Sequence, residues 1–199
     1  MLTAKRKEKL DRVAAQRQKM TVVLENVHDP HNIGAVLRTC DAVGIQEIFV
    51  IYTDDRLDED RLNDIKVSST GVRKWMDIHV YRSVEACFLD VNAAYDTIIA
   101  THLDATSQSV YKTDLSTNFA LLLGNEHEGI SEEAIKYSDK NIIIPQWGMV
   151  QSLNISVACA VILYESSRQR QQKGLYSNSI ELGDNWRKSI QEEFYKRHK

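Results

Sequence analysis

The chain lacks any stretch apolar enough for a membrane. Its longest apolar run, Val157 to Leu163, has seven residues, far short of the ~20 that a spanning helix needs. The N-terminus is basic and has none of the apolar character of a secretion signal, so the expectation is a cytoplasmic protein. Cysteine is scarce and odd in number. Cys40, Cys87 and Cys159 stand in apolar or helical surroundings; they read as reduced core thiols rather than a disulfide framework or metal site. Internal repeats and low-complexity linkers are absent. Neither G-x-G-x-x-G nor G-x-x-x-x-G-K-[ST] occurs, which disfavours a standard dinucleotide enzyme, such as an α/β dehydrogenase, and a P-loop NTPase.

What is present is a chain of 199 residues, long enough for one domain with a full core and terminal appendages. The net charge is −3, but its distribution is uneven. Residues 1–20 carry seven basic and two acidic side chains, and residues 166–199 carry eight and four. Residues 21–165 hold ten basic and 22 acidic ones. Two solvated helices would explain the basic ends. Contact with a polyanion explains the segregation as well, and is the favoured reading.

Hydrophobic patterning predicts strands at Thr21–Leu24, Gln46–Tyr52, Met76–Tyr81, Thr97–Thr101, Phe119–Leu123 and Ile142–Ile144. Helices are predicted over Lys5–Lys19, Asn32–Val43, from a Ser83 cap to about Asn92, from a Ser131 cap to Tyr137, from about Ser152 to Gln169–Gly174, and over Asn185–Lys196. Thr53–Asp64 is acidic and reads as a solvated connection with a helical turn. Strands alternating with helices indicate an α/β domain with a mostly parallel sheet. Its expected limits are 21–172, with basic helical extensions over 1–20 and 173–199.

In such a sheet, ligands bind outside the carboxyl ends of the strands. Three of these ends carry polar groups. Asn26 to Gly34 leads into the helix bearing Arg38, with Asn32 expected to cap that helix and Arg38 to reach back toward an anion or hydroxyl. Gly124-Asn125-Glu126 is followed by Gly129, a pattern for backbone that closely approaches a ligand. Pro145 and Gly148 break the last strand into a loop, and Gln151 to Asn154 then opens a long apolar helix. Ser152 or Asn154 serves there as a helix cap or as part of a ligand site at the helix start. His28 and His31 have a ligand-like spacing without a Cys or acidic cluster, so no metal is expected. His127, beside Glu126, reads as a loop residue rather than an acid/base partner. Trp147 is placed either to stack on a base or to pack against a partner subunit.

The three blocks, Asn-Val-His-Asp-Pro-His-Asn-Ile-Gly-Ala-Val-Leu-Arg-Thr-Cys-Asp-Ala-Val-Gly (26–44), Leu-Leu-Leu-Gly-Asn-Glu-His-Glu-Gly-Ile-Ser (121–131) and Ile-Ile-Ile-Pro-Gln-Trp-Gly-Met-Val-Gln-Ser-Leu-Asn-Ile-Ser-Val-Ala (142–158), occur in the order that a known group requires. Together they resemble the SPOUT superfamily, and within it the TrmH group of tRNA ribose 2′-O-methyltransferases. The resemblance covers about residues 21–170. It implies a deep trefoil knot, an exception to the usual rule against knots, with S-adenosylmethionine held in it mainly by backbone. By position it assigns Thr101, Gly124, Ile144 and Leu153 to the cofactor, with Ser152 and Asn154 shaping the pocket. Arg38 matches the catalytic arginine, which takes the ribose hydroxyl proton or orients ribose and phosphate. Asn32 and Glu126 would position the nucleotide and the arginine. The resemblance also implies a homodimer with its sites near the subunit interface, and tRNA as substrate, with guanosine 18 of the D-loop as the target. A ribosomal-RNA ribose methyltransferase and a non-catalytic RNA-binding protein on the same fold are the alternatives.

Overall fold

The computed structural model describes residues 2–53, 71–104 and 106–198. In chain order these form α1 (Ala4–Ala15), β1 (Met20–Glu25), α2 (Pro30–Ala42), β2 (Glu47–Ile51), β3 (Asp77–Tyr81), α3 (Val84–Ala94), β4 (Thr97–Ala100), β5 (Gln108–Ser109), β6 (Phe119–Leu123), α4 (Glu132–Ile135), β7 (Lys140–Ile143), α5 (Ile155–Gln172) and α6 (Asn185–Arg197). Seven strands make one sheet in the order β3-β2-β1-β6-β4-β7-β5, and every pair is parallel. The expected acidic connection lies, from residue 54 onward, outside the described residues.

Strand alternation divides the core in two. Met20, Val22 and Leu24 of β1, Ile48 and Val50 of β2, and Phe119, Leu121 and Leu123 of β6 face α2 and α5, in one cluster with Val36, Cys40, Cys159 and Ile162. Val23, Phe49, Ile51, Ala120 and Leu122 face the other way, toward Val84, Cys87, Phe88 and Val91 of α3. Both faces of the sheet are covered, which is why β1 and β6 read as continuous apolar runs rather than alternating ones. All three cysteines are free and buried. Burial pushes the Cys87 thiol up to about 12, so it is an inert packing group.

A third cluster joins the chain ends: Leu10 and Ala14 of α1 pack with Ile190 and Phe194 of α6, flanked by Trp75 and Trp186. Two buried arginines clasp this layer to the domain. Arg17 donates to the Ile45 carbonyl at 2.7 Å and to Asp41 at 2.8 Å. Arg170 donates to Gln18 Oε1 and the Lys19 carbonyl, each at 3.1 Å, and to the Thr117 carbonyl. These bonds explain one boundary error. The helix expected through Lys19 stops at Ala15 because Arg17 and Gln18 turn to bond β2's approach, with Gln18 N–H donating to the Gly44 carbonyl at 2.8 Å.

The start of α2 is also corrected. Asp29, not Asn32, is the cap, its side chain accepting from His31 N–H, and Pro30 opens the helix. Proline suits that place because its φ is already helical and its missing N–H has no partner to lose. Two short elements, β5 and the 3-10 turn Val110–Lys112, were not foreseen. The last long strand runs Lys140–Ile143, and Ile142 is its one fully buried residue. Among the described residues, only the two-residue β5 lies beyond it in the sheet.

Candidate active site at the carboxyl ends of the central strands

β1, β6, β4 and β7 are consecutive in the sheet, and the segments leaving their carboxyl ends converge. Asn26 follows β1 with φ of 51°, the only non-glycine residue with positive φ among those described; asparagine tolerates this left-handed conformation better than most residues. Its side chain grips Thr53, accepting from the Thr53 N–H and donating to Oγ1, both at 3.0 Å. Its carbonyl accepts from Asn125 Nδ2 at 2.7 Å. The first loop is thereby stitched to the second.

The second loop closes on itself. Asn125 and Gly129 exchange backbone hydrogen bonds, both 2.9 Å. A Cβ on Gly124 would stand 2.2 Å from the Gly129 carbonyl oxygen, so this position requires glycine. The loop is moored from below by Glu25. This carboxylate is 1% exposed and accepts from Ser131 N at 2.9 Å and Ser131 Oγ at 2.5 Å. Ser131 Oγ also accepts from Ala134 N–H, capping α4.

At the centre lies Asn32. Its Nδ2 donates to Glu126 Oε1 at 2.6 Å, and its Oδ1 accepts from Asn154 Nδ2 at 3.0 Å. Asn154 Oδ1 in turn accepts from Ser156 N at 2.9 Å and Ser156 Oγ at 2.6 Å, which makes Asn154 the cap of α5. The cap and the site residue are therefore one side chain. The order of donors is fixed at both ends: an ionised Glu126 only accepts, and a helix-start N–H only donates. One side-chain amide thus joins all three loops.

Arg38 stands outside this hydrogen-bonded set. With α2 beginning at Pro30, Asn32 and Arg38 both lie within it. They project about 120° apart and about 9 Å along its axis. Arg38 is exposed, and among the described residues no hydrogen bond or ion pair restrains it. Thr101, Gly124 and Ile144 follow β4, β6 and β7 directly, and all are partly buried, as is Leu153; Ser152 is exposed. Thr101 is held against the end of β6, its N–H donating to the Leu122 carbonyl at 3.1 Å. Trp147 and Met149 are 87% and 99% exposed. No group of three His, Cys, Asp or Glu able to hold a metal ion occurs among the described residues.

Glu25 and Asn125 were not singled out in the sequence. Asn125 was visible between two glycines. Glu25 had only a faint signal, as the single carboxylate closing an apolar strand.

Polar loops gathered over the carboxyl ends of a fully parallel sheet define an α/β protein with a strand-end ligand site. Residues 19–164 match the SpoU rRNA Methylase family, and the chain belongs to it. It is 40% identical over 175 residues to the tRNA (guanosine(18)-2′-O)-methyltransferase of Thermus thermophilus, covering 87% of this chain and 88% of that one. Among solved structures it resembles the A. aeolicus TrmH/SpoU tRNA modifying enzyme, with TM-score 0.78 and 34% identity over 96% of each chain. It also resembles the SpoU methyltransferase AviRb from Streptomyces viridochromogenes in complex with AdoMet, with TM-score 0.66 and 27% identity over 78% of this chain and 58% of that one. No helix among the described residues is long and apolar enough to cross a membrane.

Proposed function

We propose that the chain is an S-adenosylmethionine-dependent tRNA ribose 2′-O-methyltransferase acting on guanosine 18 of the D-loop in the cytoplasm. The observation that carries this reading is the Asn32 amide bridging Glu126 and Asn154, in a chain 40% identical to an enzyme named for that reaction. The residues present fit the cofactor. Thr101, Gly124, Ile144 and Leu153, all partly buried and uncharged, would hold the adenosine group, and the Glu126 carboxylate would favour a cationic sulfonium in the same site. The cofactor supplies a methyl group already activated by that sulfonium.

The protein's own tasks are alignment and raising the nucleophilicity of the 2′-oxygen. Asn32 and Glu126 orient the nucleotide, held in register by Asn154. Arg38, unrestrained at its tip, reaches the ribose and phosphate. It accepts the hydroxyl proton if its charge is destabilised by the sulfonium, and otherwise orients the ribose while phosphate or water accepts it; a guanidinium ordinarily stays protonated to a pKa above ~12.

The segment from β7 into α5 is read as threaded through an earlier loop in a deep trefoil knot. Two copies are read as a homodimer, joined through the apolar side chains that α5 and its entry loop leave in water: Trp147, Met149, Val150, Val157 and Tyr164. Residues 21–172 are the catalytic unit, and the basic helical extensions 1–20 and 173–199 hold RNA. The test is methyl transfer by the purified chain to tRNA and to ribosomal RNA, followed by nucleoside mass analysis. The reading requires 2′-O-methylguanosine in tRNA. Methylation of ribosomal RNA alone overturns the substrate, and failure to bind the cofactor by calorimetry overturns the enzyme.

A further inference from the structure

At the other end of the sheet, the start of β3 borders a groove of about 450 Å³ lined by Arg73, Lys74, Met76, Asp77, Ile78 and Arg197. It has three cationic side chains against one carboxylate, and that carboxylate is already committed. Asp77 accepts from Arg197 Nη2 at 2.5 Å and from Gln46 Nε2 at 3.0 Å. Arg73 and Lys74 are exposed, and no carboxylate among the described residues pairs with either. Their setting is built rather than incidental. The Arg6 guanidinium stands 5.2 Å from the Trp75 ring centre and the Lys74 ammonium 5.5 Å from it. The same indole packs edge-on against Phe194 of α6. The approach to β3 and α6 thus bring positive charge to one groove, with only Arg197 of the three cations paired to its carboxylate, and the unpaired charge there is relieved by a polyanion.

We infer that this groove seats backbone phosphates of the RNA substrate at a point remote from the methylated ribose. The inference rests on the RNA-methyltransferase reading above. Sheet register gives the separation. Asp77 is level with Glu47, and Ile48 with Val22, whereas the site begins beyond Glu25. That is about 13 Å along the strands and about 10 Å across them, too far for the nucleotide being methylated. Contacts of this kind set the position and orientation of the nucleic acid without reading its sequence.

The experiment uses the full chain carrying Arg73→Gln with Lys74→Gln, beside the charge-preserving pair Arg73→Lys with Lys74→Arg. tRNA binding is titrated across a salt series, and transfer is measured on whole tRNA and on an isolated D-arm hairpin. Removing both charges should weaken tRNA binding roughly tenfold near 0.1 M salt and reduce the log–log salt slope by about one to two. Transfer at saturating tRNA, cofactor affinity by calorimetry and kcat/KM on the hairpin should stay at wild-type values, and the charge-preserving pair should match wild type throughout. Unchanged affinity and slope overturn the inference. So do equal losses on hairpin and whole tRNA, or failure of the charge-preserving pair. A wild-type chain that shows the groove-dependent salt slope yet transfers no methyl group supports the groove and overturns the enzymatic reading instead.

Discussion

Glu25 and Ser131 are 106 positions apart, yet both hydrogens that Ser131 offers, from its N–H and its hydroxyl, go to the buried Glu25 carboxylate. The pair ties the carboxyl end of β1 to the cap of α4, so the loop carrying Glu126 is moored at both ends. Glu25→Gln keeps the shape but leaves one oxygen to accept where two now do, so one of the two Ser131 hydrogens loses its acceptor. Such a change costs about 1–3 kcal/mol. A urea midpoint unchanged from wild type would refute this account of the loop's anchorage.

Asn32→Asp places a carboxylate where the amide now meets Glu126 at 2.6 Å. Two like charges at that distance disfavour joint ionisation, so one proton is shared or the loops separate. Transfer should fall at neutral pH and partly recover on acidification, with cofactor affinity changing little. Loss of cofactor binding equal to the loss of transfer would show that Asn32 serves the pocket rather than the nucleotide.

Arg38→Ala should lower kcat by about 10²–10⁴-fold, the range for a group that moves a proton in the transition state. Because Arg38 is exposed and unrestrained, stability should move by less than ~0.5 kcal/mol. Calorimetry with the cofactor and thermal unfolding separate these effects. A variant that unfolds early, or that transfers at the wild-type rate, removes Arg38 from the reaction.

His79 gives stability a pH dependence unrelated to catalysis. Its Nε2 lies 2.9 Å from Glu47 Oε2, and this hydrogen bond, partly opposed by burial, raises its pKa above the ordinary 6.5. A raised folded-state pKa means the unfolded chain releases its proton first as pH rises. The stabilisation is complete below about pH 6.5 and is lost as pH rises through the folded value. The urea midpoint of wild type should therefore exceed that of His79→Gln by more at pH 5.5 than at pH 9. The imidazole is 40% exposed, so solvent screening keeps the difference small. A gap that widens toward pH 9 would reverse the assignment.

Most of the frame was readable along the chain. Runs such as Phe119–Leu123 and Thr21–Leu24 are apolar on both strand faces, which only a doubly covered sheet accommodates. The three site loops were visible because glycine, asparagine and acid cluster where strands end. Helix starts were less legible: Asp29, Pro30 and Asn32 are all acceptable near a helix N-terminus, and local preference did not choose among them. The terminal extensions were read as appendages. Arg17 and Arg170, which resemble surface cations in sequence, are buried clasps between those ends and the domain.

The sequence by itself determined the strand and helix alternation, the chemistry of the three loops and the family to which they belong, because these depend on residue type and short-range spacing. Tertiary structure alone decided which groups meet. Asn32 touches Glu126 across 94 positions and Asn154 across 122, while Arg73, Lys74 and Arg197 share one groove from distant parts of the chain. Such meetings follow from strand order and register, which are fixed by how the whole sheet packs its two faces and not by any local run of residues.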